Sequence, residues 1–143
     1  MSVTYEHFEH GADVGVRGRG ATPGEAFAGA ATALFTLLAE DPETVRPAVE
    51  ERVTCEADDV ETLLVTFLNE LIFLWGSRRL VLSGFEVTVE AGAGRARCEA
   101  RVRGEAFDPA RHAATVEPKG ATYSLLRVAG EPPGWVAQCV VDV

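Results

Sequence analysis

An acid, an imidazole and a second acid lie close together near the start of the chain, in the segment F-E-H-G-A-D-V-G at residues 8–15. They are Glu9, His10 and Asp13. Aspartate and glycine are poor strand formers, so strand packing does not account for them in a stretch that is otherwise strand-like. A carboxylate placed between apolar neighbours is a hard-oxygen ligand in a fixed position. We therefore take Asp13 as the centre of a candidate functional site.

A second acid in an unusual position is Asp142, which interrupts the apolar C-terminal run one residue before Val143. If this strand lies beside residues 8–19, Asp13, Asp142 and the terminal oxygens converge. Such oxygens repel one another unless a cation neutralises them, and oxygen-only ligation suits Ca²⁺ or Mg²⁺ rather than zinc. From spacing alone the simpler interpretation is favoured, in which Asp13 caps a turn and Asp142 keeps the terminus soluble.

Arginines recur on one side of a predicted strand and could bind phosphate or RNA. They are Arg95, Arg97, Arg101 and Arg103. The favoured interpretation is a solvent-facing surface whose charge is balanced by neighbouring glutamates, namely Glu86, Glu90 and Glu99. His112, near Asp108, could do acid–base work, but no serine or cysteine nucleophile lies at a recognisable elbow. We expect His112 to be a structural clasp.

Composition limits the class of protein. The chain has 143 residues, 47% of them hydrophobic, which fits one domain spanning residues 1–143. We expect no membrane span, on the premise that no apolar stretch lasts about 18 residues, and we expect no signal peptide. Three separated cysteines in apolar strand patterns (Cys55, Cys98 and Cys139) predict buried thiols in a reducing cytoplasm. The net charge of −9 disfavours unaided binding of nucleic acid.

The elements that position these residues begin with two strands at residues 3–8 and 14–19, which meet at the cluster around Asp13. The segment T-P-G-E from Thr22 has the form of a capping box. Apolar residues at spacings of three and four follow it, and they predict a helix that ends near Glu40.

A short strand at residues 51–56 precedes a second predicted helix. Asp58 is its expected N-cap, Glu61 its third residue and Gly76 its expected end. Apolar residues cover more than one face of this helix, so we expect it to be deeply buried.

Alternation of apolar and charged residues predicts a hairpin from residues 85–90 and 95–103. With its turn at Gly92-Ala93, the expected cross-strand pairs are Val89–Ala96, Val87–Cys98 and Glu90–Arg95. A last hairpin is predicted from residues 121–128 and 135–143. Runs of strands around two main helices give an α+β class with a mixed or antiparallel sheet. The phosphate-binding patterns GxGxxG and GxxxxGK[ST] do not occur.

Segments spread in order over essentially the whole chain closely resemble the archease family. They are F-E-H-G-A-D-V-G-V (8–16), T-P-G-E-A-F (22–27), L-L-V-T-F-L-N-E-L-I-F-L (63–74), G-E-A-F-D-P-A-R-H (104–112), K-G-A-T-Y (119–123) and the terminal V-V-D-V. The resemblance implies a compact α+β fold of nested strand–helix–strand–strand modules.

The resemblance also implies a function. Archeases are small cytoplasmic proteins that activate the GTP-dependent tRNA-splicing RNA ligase. They promote guanylylation of the ligase and let it turn over repeatedly, and they are not themselves thought to catalyse a reaction. The implied partner is therefore the ligase, with RNA met only indirectly through it and no membrane involved.

Archeases bind a divalent metal, usually assigned as calcium. Carried over to this sequence, the implied ligands are Asp13, Asp142 and the main-chain or terminal oxygens of Val143, with Ca²⁺ expected and Mg²⁺ as the alternative. The resemblance therefore favours a metal site over the interpretation preferred from spacing alone, in which Asp13 caps a turn and Asp142 keeps the terminus soluble. Two residues depart from the family pattern: Gly11 stands where threonine is usual, and Ser124 where histidine is usual.

Two other functions remain as alternatives at this point. One is a metal-dependent hydrolase of a nucleotide or RNA, using Asp13, Asp142 and either His10 or His112 around one ion. The other is a general chaperone or assembly module with little preference for the ligase.

Overall fold

The computed structural model describes residues 2–143 and contains, within them, two α-helices and eight strands. In chain order these are β1 (Thr4–His10), β2 (Asp13–Gly20), α1 (Pro23–Phe35), β3 (Val49–Ala57), α2 (Val60–Arg78), β4 (Leu80–Gly92), β5 (Arg95–Ala106), β6 (Gly120–Ala121), β7 (Arg127–Glu131) and β8 (Gly134–Asp142). A short 3-10 helix, Pro42–Thr44, lies between α1 and β3. The predicted α+β class is confirmed.

The strands form two separate antiparallel sheets. The five-stranded sheet has the order β1-β2-β8, and both β6 and β7 pair with the outer edge of β8. The three-stranded sheet has the order β3-β5-β4. Helix α1 packs against β2, β8 and β4, whereas α2 packs mainly against β3, β5 and β6. Both helices therefore contact both sheets, and their apolar faces belong to one continuous core.

Helix α1 begins as the sequence predicts but ends earlier. The Thr22 hydroxyl accepts a hydrogen bond from the Glu25 amide at 3.1 Å, as an N-cap does. The helix ends at Phe35 rather than near Glu40. The prediction of its end is wrong because Leu37 and Leu38 continue the apolar pattern as buried turn residues. The apolar spacing at these two positions therefore indicates buried side chains rather than a longer helix.

Both predicted ends of α2 are displaced. Its N-cap is Asp59 rather than Asp58, and the Asp59 carboxylate accepts from the Thr62 amide at 2.7 Å. The helix runs past Gly76 to Arg78, and it is closed by Arg79 in the left-handed region at φ 51°. The carbonyl of Arg79 accepts a 2.8 Å hydrogen bond from the Phe107 amide, so a tertiary contact supports this cap.

Helix α2 corrects the premise behind the expectation about membrane spans, which was that no apolar stretch lasts about 18 residues. It has 19 residues, and an 18-residue window within it has a mean hydropathy of 1.3, so it is long and apolar enough to cross a membrane by length and composition. Five of its apolar side chains, however, are fully buried inside the protein, namely Leu63, Leu64, Phe67, Leu68 and Leu71, whereas Phe73 is 65% exposed. This burial is typical of a core helix, for which length and hydropathy alone are weak evidence of a span.

The β4–β5 hairpin has a different turn from the one predicted. Gly92 pairs with Arg95, so the two loop residues are Ala93 and Gly94. Gly94 has a φ of +71°, which glycine adopts without strain and which favours it in tight hairpin turns. The register therefore differs from the prediction, with observed pairs Val89–Cys98, Val87–Ala100 and Glu90–Arg97. Because each partner moves by two residues, the apolar and charged faces are unchanged.

The strand predicted at residues 121–128 is interrupted. Thr122 and Ser124 still hydrogen bond to Val140 of β8, but the residues between β6 and β7 bulge outward, with Leu125 at φ 51°. Residues 122–126 therefore connect two short strands on one edge of β8.

Candidate metal centre

Asp13 is placed by the β1–β2 hairpin. The turn residues are Gly11 and Ala12, and His10 pairs with Asp13 to close it. Gly11 lies at φ +60°, a conformation that a threonine, usual here in the resembling family, adopts only with strain. Asp13 is the first residue of β2 and is half-buried.

The register between β2 and β8 brings Asp13 and Asp142 together. Val14 pairs with Val141, so the next residues along these antiparallel strands stand opposite each other at the end of the ladder. Opposite residues in such a ladder have Cβ atoms about 4.5–5.5 Å apart and project from the same face. The sheet therefore brings residues from the two ends of the sequence into one place. Their role as metal ligands stays a prediction.

Asp142 is also held from its other side. Gly120 of β6 pairs with Asp142, and the Lys119 amide donates a 2.8 Å hydrogen bond to the Asp142 carbonyl. Val143 follows directly and is half-buried against the core. The main chain on both sides of the Asp142 side chain is thus fixed.

Neither carboxylate forms an ion pair with a side chain of the described residues. The ion pairs formed within residues 2–143 include neither Asp13 nor Asp142. Arg17 lies on the same face of β2 as Asp13, four residues later in the chain. Its guanidinium donates hydrogen bonds to Glu6 at 3.0 Å and to Gln138 at 2.8 Å. Two adjacent carboxylates that form no ion pair are a suitable donor set for a hard divalent cation.

The donor set is small. In the part of the chain that the structure describes, no group of three or more His, Cys, Asp or Glu side chains is arranged to hold a metal ion. A centre here would use two carboxylates and main-chain oxygen, and these residues fit Ca²⁺ or Mg²⁺ better than zinc. Glu9 and His10 are exposed in the same hairpin.

His112 is buried in a clasp, as predicted. Its Nδ1 accepts a 2.9 Å hydrogen bond from the Asp108 amide, so its ring proton is on Nε2, which donates to Glu105 at 3.1 Å. Glu105 also accepts from the Arg111 guanidinium and from the Arg46 amide. The hydrogen bonds from Arg111, together with those from Arg46 and His112, lower the pKa of Glu105 to about 2, although burial opposes the change. This cluster ties the loop after β5 to the loop after α1.

The arginine stripe lies on the exposed face of the three-stranded sheet, as predicted. Arg95 pairs with Glu56 at 2.8 Å, and Arg103 pairs with Glu50 and Glu86, each at 2.9 Å. These contacts use carboxylates that a phosphate ligand would have to displace.

The cysteines offer no activated thiol. Cys98 and Cys139 are fully buried, and burial raises the pKa of each thiol to about 12. Burial also raises the pKa of Cys55 to about 11. The predicted buried thiols are confirmed.

Sequence reasoning missed one residue near the site. Asn69 of α2 hydrogen bonds to both main-chain groups of Ala121 in β6. Its residue type gives no signal of this role, because both partners are main-chain groups.

The fold is that of a small α+β protein with two antiparallel sheets around two helices, which carries paired carboxylates at one sheet end. Residues 5–143 match the model of the Archease protein family (MTH1598/TM1083). The chain therefore belongs to the archease family.

Relatives and solved structures agree with this assignment. Protein archease of Pyrococcus furiosus is 38% identical over 97% of this chain and 98% of its own length, and protein archease of Thermococcus gammatolerans is 39% identical over the same shares. The solution structure of Methanobacterium thermoautotrophicum protein 1598 has a TM-score of 0.83 at 26% identity, covering 97% of this chain and 98% of that one. The crystal structure of a Thermotoga maritima archease, described as a "possible chaperone", has a TM-score of 0.51 at 15% identity, covers 96% of each chain and supports the fold alone.

Proposed function

We propose that this protein is a metal-binding cofactor of a GTP-dependent tRNA-splicing RNA ligase, which it activates by promoting guanylylation and multiple turnover. Membership of the archease family supports the general role. The observation that carries the proposal is the placement of Asp13 opposite Asp142 at the end of the β2–β8 ladder. Two carboxylates from distant parts of the chain are brought to the same end of the ladder, where neither forms an ion pair with the described residues.

In this proposal the carboxylates of Asp13 and Asp142 and a main-chain oxygen of Val143 hold the cation. Ca²⁺ is the expected ion and Mg²⁺ the alternative, since both prefer oxygen ligands. The bound cation would supply charge neutralisation and a fixed geometry for the strand end. The role of the chain itself is to orient the ligands, through the main-chain hydrogen bonds that hold β8 between β2 and β6.

We further propose that the protein is an activator rather than a catalyst. Its thiols are buried with strongly raised pKa values, and His112 is enclosed by Glu105 and Asp108. The groups at the candidate centre are therefore acids that bind and orient, without an activated nucleophile beside them.

The partner in this proposal is the ligase, and RNA is met only through it. The net charge of −9 repels phosphate backbones but complements the basic surface of an enzyme that handles nucleic acid. Complementary charge accelerates encounter more than it raises affinity. Three free, buried cysteines support a reducing cytoplasmic setting.

The test compares Asp13→Asn and Asp142→Asn with Glu9→Gln, which makes the same change of charge in the same hairpin. Calcium binding is measured by calorimetry, and activation by the rate at which the purified ligase from the same organism is guanylylated with GTP. We expect both aspartate variants to fold, to lose calcium binding and to fail as activators, while Glu9→Gln keeps both properties.

Full activation by both aspartate variants would exclude the metal-centred mechanism. Hydrolysis of a nucleotide or RNA by the purified protein without ligase would favour the hydrolase alternative instead. Activity on unrelated aggregating proteins that survives loss of the metal would favour a general chaperone.

A further inference from the structure

The strand that borders Asp142 is short and has no strand neighbour on its other side. β6 has only two residues, Gly120 and Ala121, and pairs with β8 alone. A ladder of this length contributes few hydrogen bonds and is marginal without further support. The Lys119 amide nevertheless donates to the Asp142 carbonyl at 2.8 Å, so the position of Asp142 depends on this segment.

Asn69 of α2 takes the place of the missing neighbour. Its Oδ1 accepts a 2.8 Å hydrogen bond from the Ala121 amide, and its Nδ2 donates to the Ala121 carbonyl at 3.3 Å. Paired bonds to the N–H and C=O of one residue are the pattern that an adjacent antiparallel strand makes. A neutral side-chain amide can make both bonds, since it carries a donor and an acceptor together.

A second anchor lies at the start of the same segment. The Trp75 indole donates to Glu117 at 3.0 Å, and the Arg79 guanidinium donates to the same oxygen at 2.7 Å. Helix α2 and its C-cap therefore hydrogen bond to both ends of the segment at residues 117–121. The contact of Asn69 is the nearer of the two to Asp142. Asn69 bonds to Ala121, which is next to Gly120, and Gly120 is the residue that pairs with Asp142.

We propose that Asn69 is a positioning residue for the candidate metal site, an inference that rests on the metal-binding role proposed above. By holding β6 against the end of β8, it keeps Asp142 opposite Asp13. Binding constellations need their ligands within about 0.5 Å of the productive geometry, which the supporting contacts must enforce. Asn69 does this without adding charge beside the two carboxylates.

The experiment uses the full chain with Asn69→Ala and Asn69→Leu, both of which remove the two hydrogen bonds at an exposed position. The matched control is Ser77→Ala in the same helix, whose hydroxyl bonds only within α2, to the Phe73 carbonyl. Calcium affinity is measured by calorimetry, and amide hydrogen exchange of Lys119 is measured without metal. We expect calcium affinity to fall about tenfold or more in both Asn69 variants and Lys119 to exchange faster, while Ser77→Ala matches the unaltered protein.

The outcomes separate this inference from the proposed function. If the unaltered protein binds calcium and the Asn69 variants bind it equally well, the role of Asn69 is wrong and the metal site stands. Weaker calcium binding with unchanged Lys119 exchange would also overturn the role, because the effect would not pass through β6. If the unaltered protein binds no divalent cation, the proposed metal site falls, and the role of Asn69 falls with it.

Discussion

The Glu105 clasp makes the stability of this protein depend on pH in a defined range. Arg111, the Arg46 amide and His112 all donate to the Glu105 carboxylate, which lowers its pKa from 4.5 to about 2. Because the pKa is lower in the folded than in the unfolded chain, the contribution is complete above about pH 5 and is lost as the pH falls toward 2. At about 1.4 kcal/mol for each pH unit, this difference corresponds to about 3 kcal/mol.

The perturbation that tests this is Glu105→Gln, which keeps the shape and one acceptor but removes the charge. We expect it to lower the free energy of unfolding by about 3 kcal/mol at pH 7, in the range seen when one partner of a buried ion pair is removed. The assay is urea unfolding, followed by tryptophan fluorescence, at a series of pH values from 7 down to 3. The difference between the two proteins should shrink steadily below about pH 5.

Glu90→Gln is the control, since Glu90 is exposed and such surface changes alter stability by less than about 0.5 kcal/mol. A difference between Glu105→Gln and the unaltered protein that stays constant from pH 7 to pH 3 would refute the reasoning. The lost contribution would then come from packing or hydrogen-bond geometry, not from the ionised carboxylate.

Two further predictions follow from local contacts. Asp59→Ala should lower the free energy of unfolding by about 1 kcal/mol, because it removes the N-cap of α2. Asp58→Ala should lower it much less, and urea unfolding of both variants decides between the two candidate caps. The three cysteines should fail to react with a water-soluble thiol reagent in the native protein and should react fully in denaturant. The reason is that all three are buried and their pKa values are about 11 to 12. Rapid labelling of any of them in the native state would contradict the buried placement.

The order and type of the main elements could be predicted from the sequence because their signals are local. Thr22 and Glu25 cap α1 through contacts three residues apart, and the alternation in β5 predicts its buried and exposed faces. Element ends were less predictable, because tertiary contacts decide them. Arg79 closes α2 while its carbonyl is bonded to Phe107, about thirty residues later in the chain.

The same contrast between local signals and tertiary contacts applies to the candidate site. The residue types of Asp13 and Asp142 could be singled out from the sequence, and their convergence was conditional on two strands being neighbours. The resemblance to archeases supplied the ligand set that spacing alone disfavoured. The contribution of Asn69 could not be predicted, since its partner is the main chain of Ala121, 52 residues away, and main-chain groups leave no trace in residue type.

The face on which the carboxylates stand is set by the core rather than by the site. Val16 pairs with Cys139 and both are fully buried, which fixes the alternation along β2 and β8. A slip of one residue would turn Cys139 and Val141 outward and bring Asp142 to the core face. Burial of these apolar side chains therefore excludes a one-residue slip and keeps Asp13 and Asp142 on the face away from the core. Apolar packing thus brings two like charges together, and in the proposed function a divalent cation neutralises them.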